Sequence, residues 1–340
     1  MKKVLILFCG GTIVMHEAEH GSLDMLKKQE AIDLLMSLEP KLHTTTRMDV
    51  EYIDNIDSSN MAPEHWDRIA SIVAKNYKNY DGFVITHGTN SMAYTASALS
   101  WSLRNLGKPV VFTGAQIPGY KVESDARRNF VNAVRIAKAN IAGVLIVFDE
   151  ELILGARSSK VSESKLDAFE TINWDLLGEI RFDVRLSSES KPRHHRPLKL
   201  MTGYDSRIAV ITIVPGVPVR VLQAILKSGI RGLVLRGYGP GDIAYRYLKV
   251  IKEARTMKIP VVVTTQCIEG ATLMHVNDVG REALEAGVIQ SHDMTIESVS
   301  TKLMWALKHY PYSQIKKIMH TNFVGEINIE GKYKSVRISA

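Results

Sequence analysis

The sequence predicts an α/β protein of two domains, a larger N-terminal one built on a mostly parallel sheet and a smaller C-terminal α/β one. Three observations carry this. Short apolar runs ending in glycine turns alternate with segments of helical periodicity, the rhythm of parallel strands joined by crossover helices. At 340 residues the chain exceeds the size at which one core usually keeps growing. The texture also breaks at Ser187, where Ser-Ser-Glu-Ser-Lys-Pro-Arg-His-His-Arg-Pro has no periodicity. The expected division is a large domain over 1–186, a linker over 187–205 and a smaller domain over 206–340.

Taken in order, residues 4–8 form a first strand that ends at Gly10-Gly11-Thr12. Residues 16–24 are polar and mixed and read as a mobile loop. Apolar residues at helical spacing over 23–38 predict a helix closed by Pro40, and 48–53 a second strand. Pro63-Glu64 opens a helix through 75. Residues 82–92, Gly-Phe-Val-Ile-Thr-His-Gly-Thr-Asn-Ser-Met, form the stretch around which the chain is organised. They read as a strand and a tight turn, leading into an alanine-rich helix over 93–103. Such a junction gathers hydroxyls and backbone N–H groups at the carboxyl edge of a parallel sheet, where open α/β folds bind ligands. Strands over 109–113 and 143–148 flank an amphipathic helix over 124–139. In the second half, strands over 208–214, 232–236 and 261–265 alternate with helices over 219–227 and 244–257, and helices over 295–308 and 312–319 close the chain.

Composition bounds the function. Hydrophobic residues make up 45% and charged residues 23%, and no apolar run approaches the roughly 18 residues of a membrane span. The run after Met1-Lys2-Lys3 is too short for a signal peptide and breaks at Gly10-Gly11. Two cysteines, Cys9 and Cys267, fit a reducing compartment, so a cytoplasmic location is expected. The net charge is +7, but it is dispersed and has no basic block with interleaved aromatics, which argues against a nucleic-acid partner. No membrane partner is expected either. Gly10-Gly11 lacks the spacing of dinucleotide-binding loops, and no phosphate-cradling P-loop string occurs. His194-His195 sits between two arginines in a proline-flanked stretch, with no clustered ligand set, so no metal is expected.

The chain does offer hydroxyls at strand ends, namely Thr12, Ser58, Ser59, Thr89 and Ser158-Ser159 beside Lys160. A hydroxyl nucleophile needs a base, and a lysine serves once burial lowers its pKa from about 10.4, because desolvation disfavours the ammonium. Taken alone, Thr12 reads as a turn threonine and Lys160 as a surface lysine.

Gly10-Gly11-Thr12-Ile13, Asp57-Ser58-Ser59-Asn60-Met61, His87-Gly88-Thr89-Asn90-Ser91-Met92-Ala93-Tyr94-Thr95-Ala96, Thr113-Gly114-Ala115-Gln116-Ile117-Pro118 and Ser158-Ser159-Lys160 together resemble the ordered motifs of the bacterial-type L-asparaginases. The closest likeness is to the cytoplasmic type I branch, with Arg236-Gly-Tyr-Gly and Thr265-Gln266-Cys267 extending it into the second half. The resemblance implies a homodimer or homotetramer that hydrolyses a small-molecule amide and releases ammonia. It implies Thr12 as nucleophile, Thr89 and Lys160 as the hydroxyl–ammonium pair, Ser58 and Ser59 on the substrate carboxylate, and an oxyanion hole at the Gly88–Thr89 turn. A single such donor is commonly worth about 3 kcal/mol. It also implies an effector site at Arg236 and Cys267, and no cofactor.

The sequence departs from that family pattern in four places. Asn90-Ser91 replaces Asp-Thr, and the lost aspartate is the family's partner for the substrate's α-ammonium. No tyrosine precedes Tyr52, where the family has one over the site. Cys9 replaces a threonine, a packing change. Asp242 replaces an asparagine in Tyr238-Gly239-Pro240-Gly241-Asp242, either returning the carboxylate lost at position 90 or capping a helix from Ile243. Two alternatives to asparagine hydrolysis therefore stay open. One is the same chemistry on an amide without a free α-amine, such as a peptidyl or N-acyl asparagine. The other is a weakly active or inactive amino-acid-binding regulatory homologue.

Overall fold

A computed structural model describes residues 1–17 and 23–329. The chain divides into two compact units. One comprises Met1–Thr171 and Asp175–Thr202, and the other Ile172–Trp174 and the chain from Gly203 onward. The division thus falls at Thr202 and Gly203, and residues 187–202 cluster with the first unit.

The first unit is built on an eight-stranded sheet. In chain order its elements are β1 (Lys2–Phe8), α1 (Lys28–Ser37), β2 (Thr46–Tyr52), α2 (Pro63–Asn76), β3 (Gly82–Thr86), α3 (Met92–Ser102), β4 (Pro109–Thr113), α4 (Ala126–Lys138), β5 (Gly143–Phe148) and β6 (Glu151–Leu154). The paired strands β7 (Ser158–Lys160) and β8 (Phe169–Thr171) follow, then β9 (Gly178–Ile180) and β10 (Val184–Leu186). The sheet order is β10-β9-β6-β5-β4-β3-β1-β2. From β5 to β2 all pairings are parallel, and β6, β9 and β10 add an antiparallel edge. Every residue of β3 and β4 is buried, as expected for parallel strands covered on both faces. On one face Val4, Ile6, Phe8, Val84 and Val111 pack with Leu35 of α1 and Phe130, Ala133 and Ala137 of α4. The four α4 positions 126, 130, 133 and 137 repeat at helical spacing, which is why this segment is amphipathic.

Strand β1 lies between β2 and β3. The chain leaves β1 for β2 on one side and returns to β3 on the other, so the order reverses there. At such a switch point the connections after two neighbouring strands diverge and leave a crevice beyond their carboxyl ends. The residues that occupy it are Gly10-Gly11-Thr12 after β1 and His87-Gly88-Thr89 after β3.

One sequence expectation is corrected in this unit, and the loop expected over 16–24 lies in part outside the described residues. The polar stretch 16–24 is flanked by paired backbone, with Met15 opposite Met25 and Glu17 opposite Leu23 in antiparallel register. Residues 18–22, where the family pattern has its tyrosine, lie outside the described residues. The helix expected from 23 begins at Lys28.

The second unit has a four-stranded parallel sheet, β11 (Ile208–Thr212), β12 (Gly232–Gly237), β13 (Val261–Thr265) and β14 (Ile289–Gln290), in that order. Its helices are α5 (Val219–Lys227), α6 (Leu248–Thr256), α7 (Asp278–Ala286), α8 (Ile296–His309) and α9 (Tyr312–His320). The helix expected over 244–257 is divided into a 3-10 turn, Tyr245–Tyr247, and α6. Thr295 caps α8 by accepting from the Ser298 N–H at 3.1 Å.

Candidate active site

The crevice beside β1 and β3 is made by close backbone approach. Gly10 and Gly11 have φ of 88° and 100°, a conformation that glycine alone adopts without strain. A Cβ on Gly11 would lie 2.7 Å from the Gly88 nitrogen, and one on Gly88 would lie 2.6 Å from Ser58 Oγ. Backbone therefore touches backbone. Thr12 and Thr89, each the next residue after a contacting glycine, are delivered to one place. Thr12 opens a short 3-10 turn, Thr12–Val14, whose Ile13 and Val14 are buried. Those apolar anchors pin the turn, while Thr12 is partly exposed and its hydroxyl has no hydrogen-bond partner among the described residues.

Thr89 is 6% exposed. Lys160 Nζ donates to its Oγ1 at 2.8 Å and to Asn90 Oδ1 at 3.1 Å. Asn90 Nδ2 in turn donates to Ser59 Oγ at 3.2 Å. Ser58 is buried, Ser59 is exposed, and Asp57 accepts from the Ser59 N–H at 2.7 Å. Ser91 Oγ donates to the Ser58 carbonyl at 2.5 Å, which ties the serine turn to the start of α3. The N–H groups of Gly88 and Thr89 meet no carbonyl among the described residues. Partial burial lowers the Lys160 pKa from its ordinary value, with the Glu163 carboxylate opposing that shift. Beneath the turn, His87 is fully buried, which pushes its pKa down to about 4, and its Nδ1 lies 2.7 Å from the Gly88 carbonyl.

This arrangement can do acyl chemistry. It places a free hydroxyl beside a second hydroxyl bonded to a lysine, with unpaired backbone N–H donors at the same turn. Among the described residues no group of three or more His, Cys, Asp or Glu is placed to hold a metal, and no helix is long and apolar enough to cross a membrane.

The structure therefore brings Thr12, Ser58, Ser59, Gly88, Thr89, Asn90 and Lys160 together in the first unit. Lys160 lies on β7, paired with Phe169 of β8. Gln116, which motif and residue type alone leave without a role, accepts from Thr89 Oγ1 at 3.0 Å. The available signal was its place after Thr113-Gly114-Ala115, at the end of the strand next to β3.

Asp242, Arg236 and Cys267 belong to the second unit. No helix starts at Ile243. Instead Asp242 Oδ2 accepts from Asn277 Nδ2 at 2.7 Å, at the residue preceding α7, and its Oδ1 is buried without a partner among the described residues. Arg236 Nη2 reaches the Gln266 carbonyl at 3.4 Å, and Cys267 is exposed.

Residues 3–192 match the family described as "Asparaginase, N-terminal", and 207–319 match "Glutaminase/Asparaginase C-terminal domain". The chain belongs to the asparaginase family. It is 40% identical to an L-asparaginase of Thermococcus kodakarensis over 96% of this chain and 99% of that protein. It is 37% identical to L-asparaginase 1 of Escherichia coli over 96% and 98%. It is also 34% identical to a glutamyl-tRNA(Gln) amidotransferase component of Pyrococcus abyssi, over 96% of this chain and 77% of that one. The solved structure of the thermostable L-asparaginase from T. kodakarensis superposes with a TM-score of 0.89 at 38% identity, covering 96% and 99% of the two chains. L-asparaginase I from Vibrio cholerae superposes with a TM-score of 0.87 at 33% identity, covering 96% and 99%. The chain is an asparaginase-type amidohydrolase.

Proposed function

We propose that this enzyme hydrolyses the side-chain amide of L-asparagine to aspartate and ammonia, with Thr12 as nucleophile. The observation that carries the reading is the 2.8 Å contact between Lys160 Nζ and Thr89 Oγ1 beside the Gly11–Gly88 approach. Thr12 Oγ1 attacks the amide carbon, and its proton passes to the Thr89–Lys160 pair. The carbonyl oxygen gains charge against the N–H groups of Gly88 and Thr89. The C–N bond then breaks as the nitrogen takes a proton and leaves as ammonia. Water enters along the same path, gives its proton to the pair and releases aspartate and the free Thr12 hydroxyl. Ser58 and Ser59 hold the substrate carboxylate, and no cofactor takes part in any step.

The similarity to E. coli L-asparaginase 1 supports placement in the type I branch, and a cytoplasmic location and self-association as a homodimer or homotetramer are proposed with it. In such an assembly Asp242 is assigned the substrate ammonium, from another subunit, and Arg236 and Cys267 an amino-acid effector.

One observation favours a second reading. Asn90 is neutral, and its amide is already engaged by Lys160 on one side and Ser59 on the other. It offers no countercharge to an α-ammonium, so an asparagine whose amine is acylated meets a lower desolvation cost there. A single assay separates the readings. Ammonia release is measured from L-asparagine, L-glutamine and an N-acyl asparagine, with Thr12→Ala as control. Release from L-asparagine that Thr12→Ala abolishes supports the first reading, and release from the acylated compound alone selects the second. Release undiminished in Thr12→Ala removes Thr12 from the chemistry.

A further inference from the structure

Gln116 sits one strand end away from Thr89, on the turn after β4, and the direction of its side-chain amide is fixed. Nε2 donates to the backbone carbonyls of Glu163 and Lys165, each at 3.1 Å, so Oε1 is the atom that faces Thr89. A carboxamide oxygen only accepts. In the 3.0 Å bond to Oε1 the Thr89 hydroxyl is therefore the donor, and its one proton is committed to Gln116. The 2.8 Å contact with Lys160 must then be one in which the lysine donates and Thr89 accepts. In this pattern Thr89 has no proton to hand to Lys160 until its hydroxyl rotates from Gln116 Oε1 to Lys160 Nζ.

Gln116 is itself held. Its N–H and that of Ile117 donate to the Asp125 carboxylate at 3.0–3.1 Å, and Asn129 Nδ2 donates to the same carboxylate at 2.8 Å. Asp125 stands at the start of α4, and its side chain makes no cap bond to its own helix, so this carboxylate serves the turn. We propose that Gln116 is a positioning residue. It holds the Thr89 hydroxyl away from the lysine while Lys160 is an ammonium; once Lys160 has given one proton to solvent water, the hydroxyl turns from Gln116 to the neutral amine and the pair can accept the nucleophile's proton. In that step the nucleophile's O–H bond breaks and a new one forms on Thr89, while the proton already on Thr89 passes to the neutral Lys160 Nζ, which becomes the ammonium. Charge and atoms balance, with solvent water as the acceptor of the first lysine proton.

The charged groups around the pair leave this role to Gln116. Glu163 is the carboxylate that acts on Lys160, Lys165 meets Gln116 through its backbone carbonyl, and Asp57 is engaged with the Ser59 N–H. Glu170, on the strand paired with β7, acts on Glu151.

The proposal rests on the proton-transfer role given to Thr89 and Lys160 above, and its test separates the two. Gln116→Met removes the acceptor, leaving the buried hydroxyl satisfied only when it donates to a neutral lysine. The Lys160 pKa and the acidic limb of kcat/KM should then fall by about one pH unit. Gln116→Glu supplies a stronger acceptor and a countercharge, and both should rise. The Lys160 pKa is read by NMR of 13Cε-labelled lysine in a Thr12→Ala background, assigned with Lys160→Met, so that it is measured without turnover. Opposite displacements in the two variants support the proposal, and a misfolded turn would not produce them. A lysine pKa that stays put in both, or moves the same way in both, overturns it. Should the lysine shifts appear while Thr12→Ala still turns over substrate, the nucleophile assignment fails and the role of Gln116 stands.

Discussion

At the scale of single residues, His87 shows how one buried ring can serve the site from below. It is fully buried, and desolvation holds its pKa near 4 against an ordinary 6.5. The neutral tautomer carries its proton on Nδ1, where the Gly88 carbonyl accepts at 2.7 Å, which fixes the peptide whose N–H belongs to Thr89. Nε2 is left buried without a partner among the described residues. The sign of the pH dependence follows from linkage. Between pH 6.5 and about 4 the unfolded chain binds a proton that the folded chain refuses, so stability is fully present above 6.5 and is lost as pH falls through that window. The full shift is worth about 3 kcal/mol. His87→Asn keeps a donor near the Nδ1 position and removes the titrating ring. Urea midpoints measured from pH 7 to 4 should fall less steeply for His87→Asn than for the parent, while kcat stays within a few-fold at pH 7. Parallel curves for the two proteins would show that His87 does not titrate on unfolding.

At the scale of elements, the junction of β3 and α3 depends on two glycines facing each other and a serine. Gly88→Ala puts a methyl 2.6 Å from Ser58 Oγ and 2.8 Å from its Cβ. Ser58 is buried and its carbonyl accepts from Ser91, so the strain moves the serine turn and Thr89 together. A displacement on the order of 1 Å costs roughly 100-fold in rate. Steady-state assays of Gly88→Ala should show kcat/KM reduced by about that factor with the far-ultraviolet dichroism unchanged, and a variant within three-fold of the parent would contradict the close packing. This junction was legible in the sequence because a strand buried on both faces is a continuous apolar run, here Phe83-Val84-Ile85, closed by residues that suit a turn. Thr12, Thr89 and Lys160 were legible for the same reason, each standing at the end of such a run or in a family motif. The antiparallel edge was not. β9 and β10 are three residues each, and Gly178-Glu179-Ile180 carries too few positions to show a period of two. Nor could local sequence give Gln116 its role, since that depends on carbonyls of residues 163 and 165, which only the fold brings near.

At the scale of the whole molecule, each unit has its own core, and the second is pinned by a buried charge pair. Lys302 of α8 and Glu326 are both fully buried, with Nζ 2.7 Å from Oε1. The ammonium also donates to the carbonyls of Met319 and Thr321 at 3.0 and 2.8 Å, and the carboxylate accepts from the N–H groups of Phe323 and Val324. The pair thus staples the end of α9 and the segment after it onto α8. Burial by itself raises the Glu326 pKa, but Lys302 and the backbone donors outweigh it and hold it below the ordinary 4.5. Its contribution is therefore present above pH 4.5 and lost as pH falls below it. Removing one partner of such a pair strands a charge in a low-dielectric interior and typically costs about 3–5 kcal/mol, whereas removing both is far milder. Lys302→Met should speed amide hydrogen exchange across α8, α9 and residues 321–329, leaving β1, β3 and β4 of the first unit at parental protection. Lys302→Met combined with Glu326→Gln should recover much of the loss, because the glutamine oxygen still accepts from the 323–324 backbone without a charge to bury. If the double variant is as unstable as the single one, the stranded carboxylate is not the cause, and the loss belongs to the packing of the lysine stem alone.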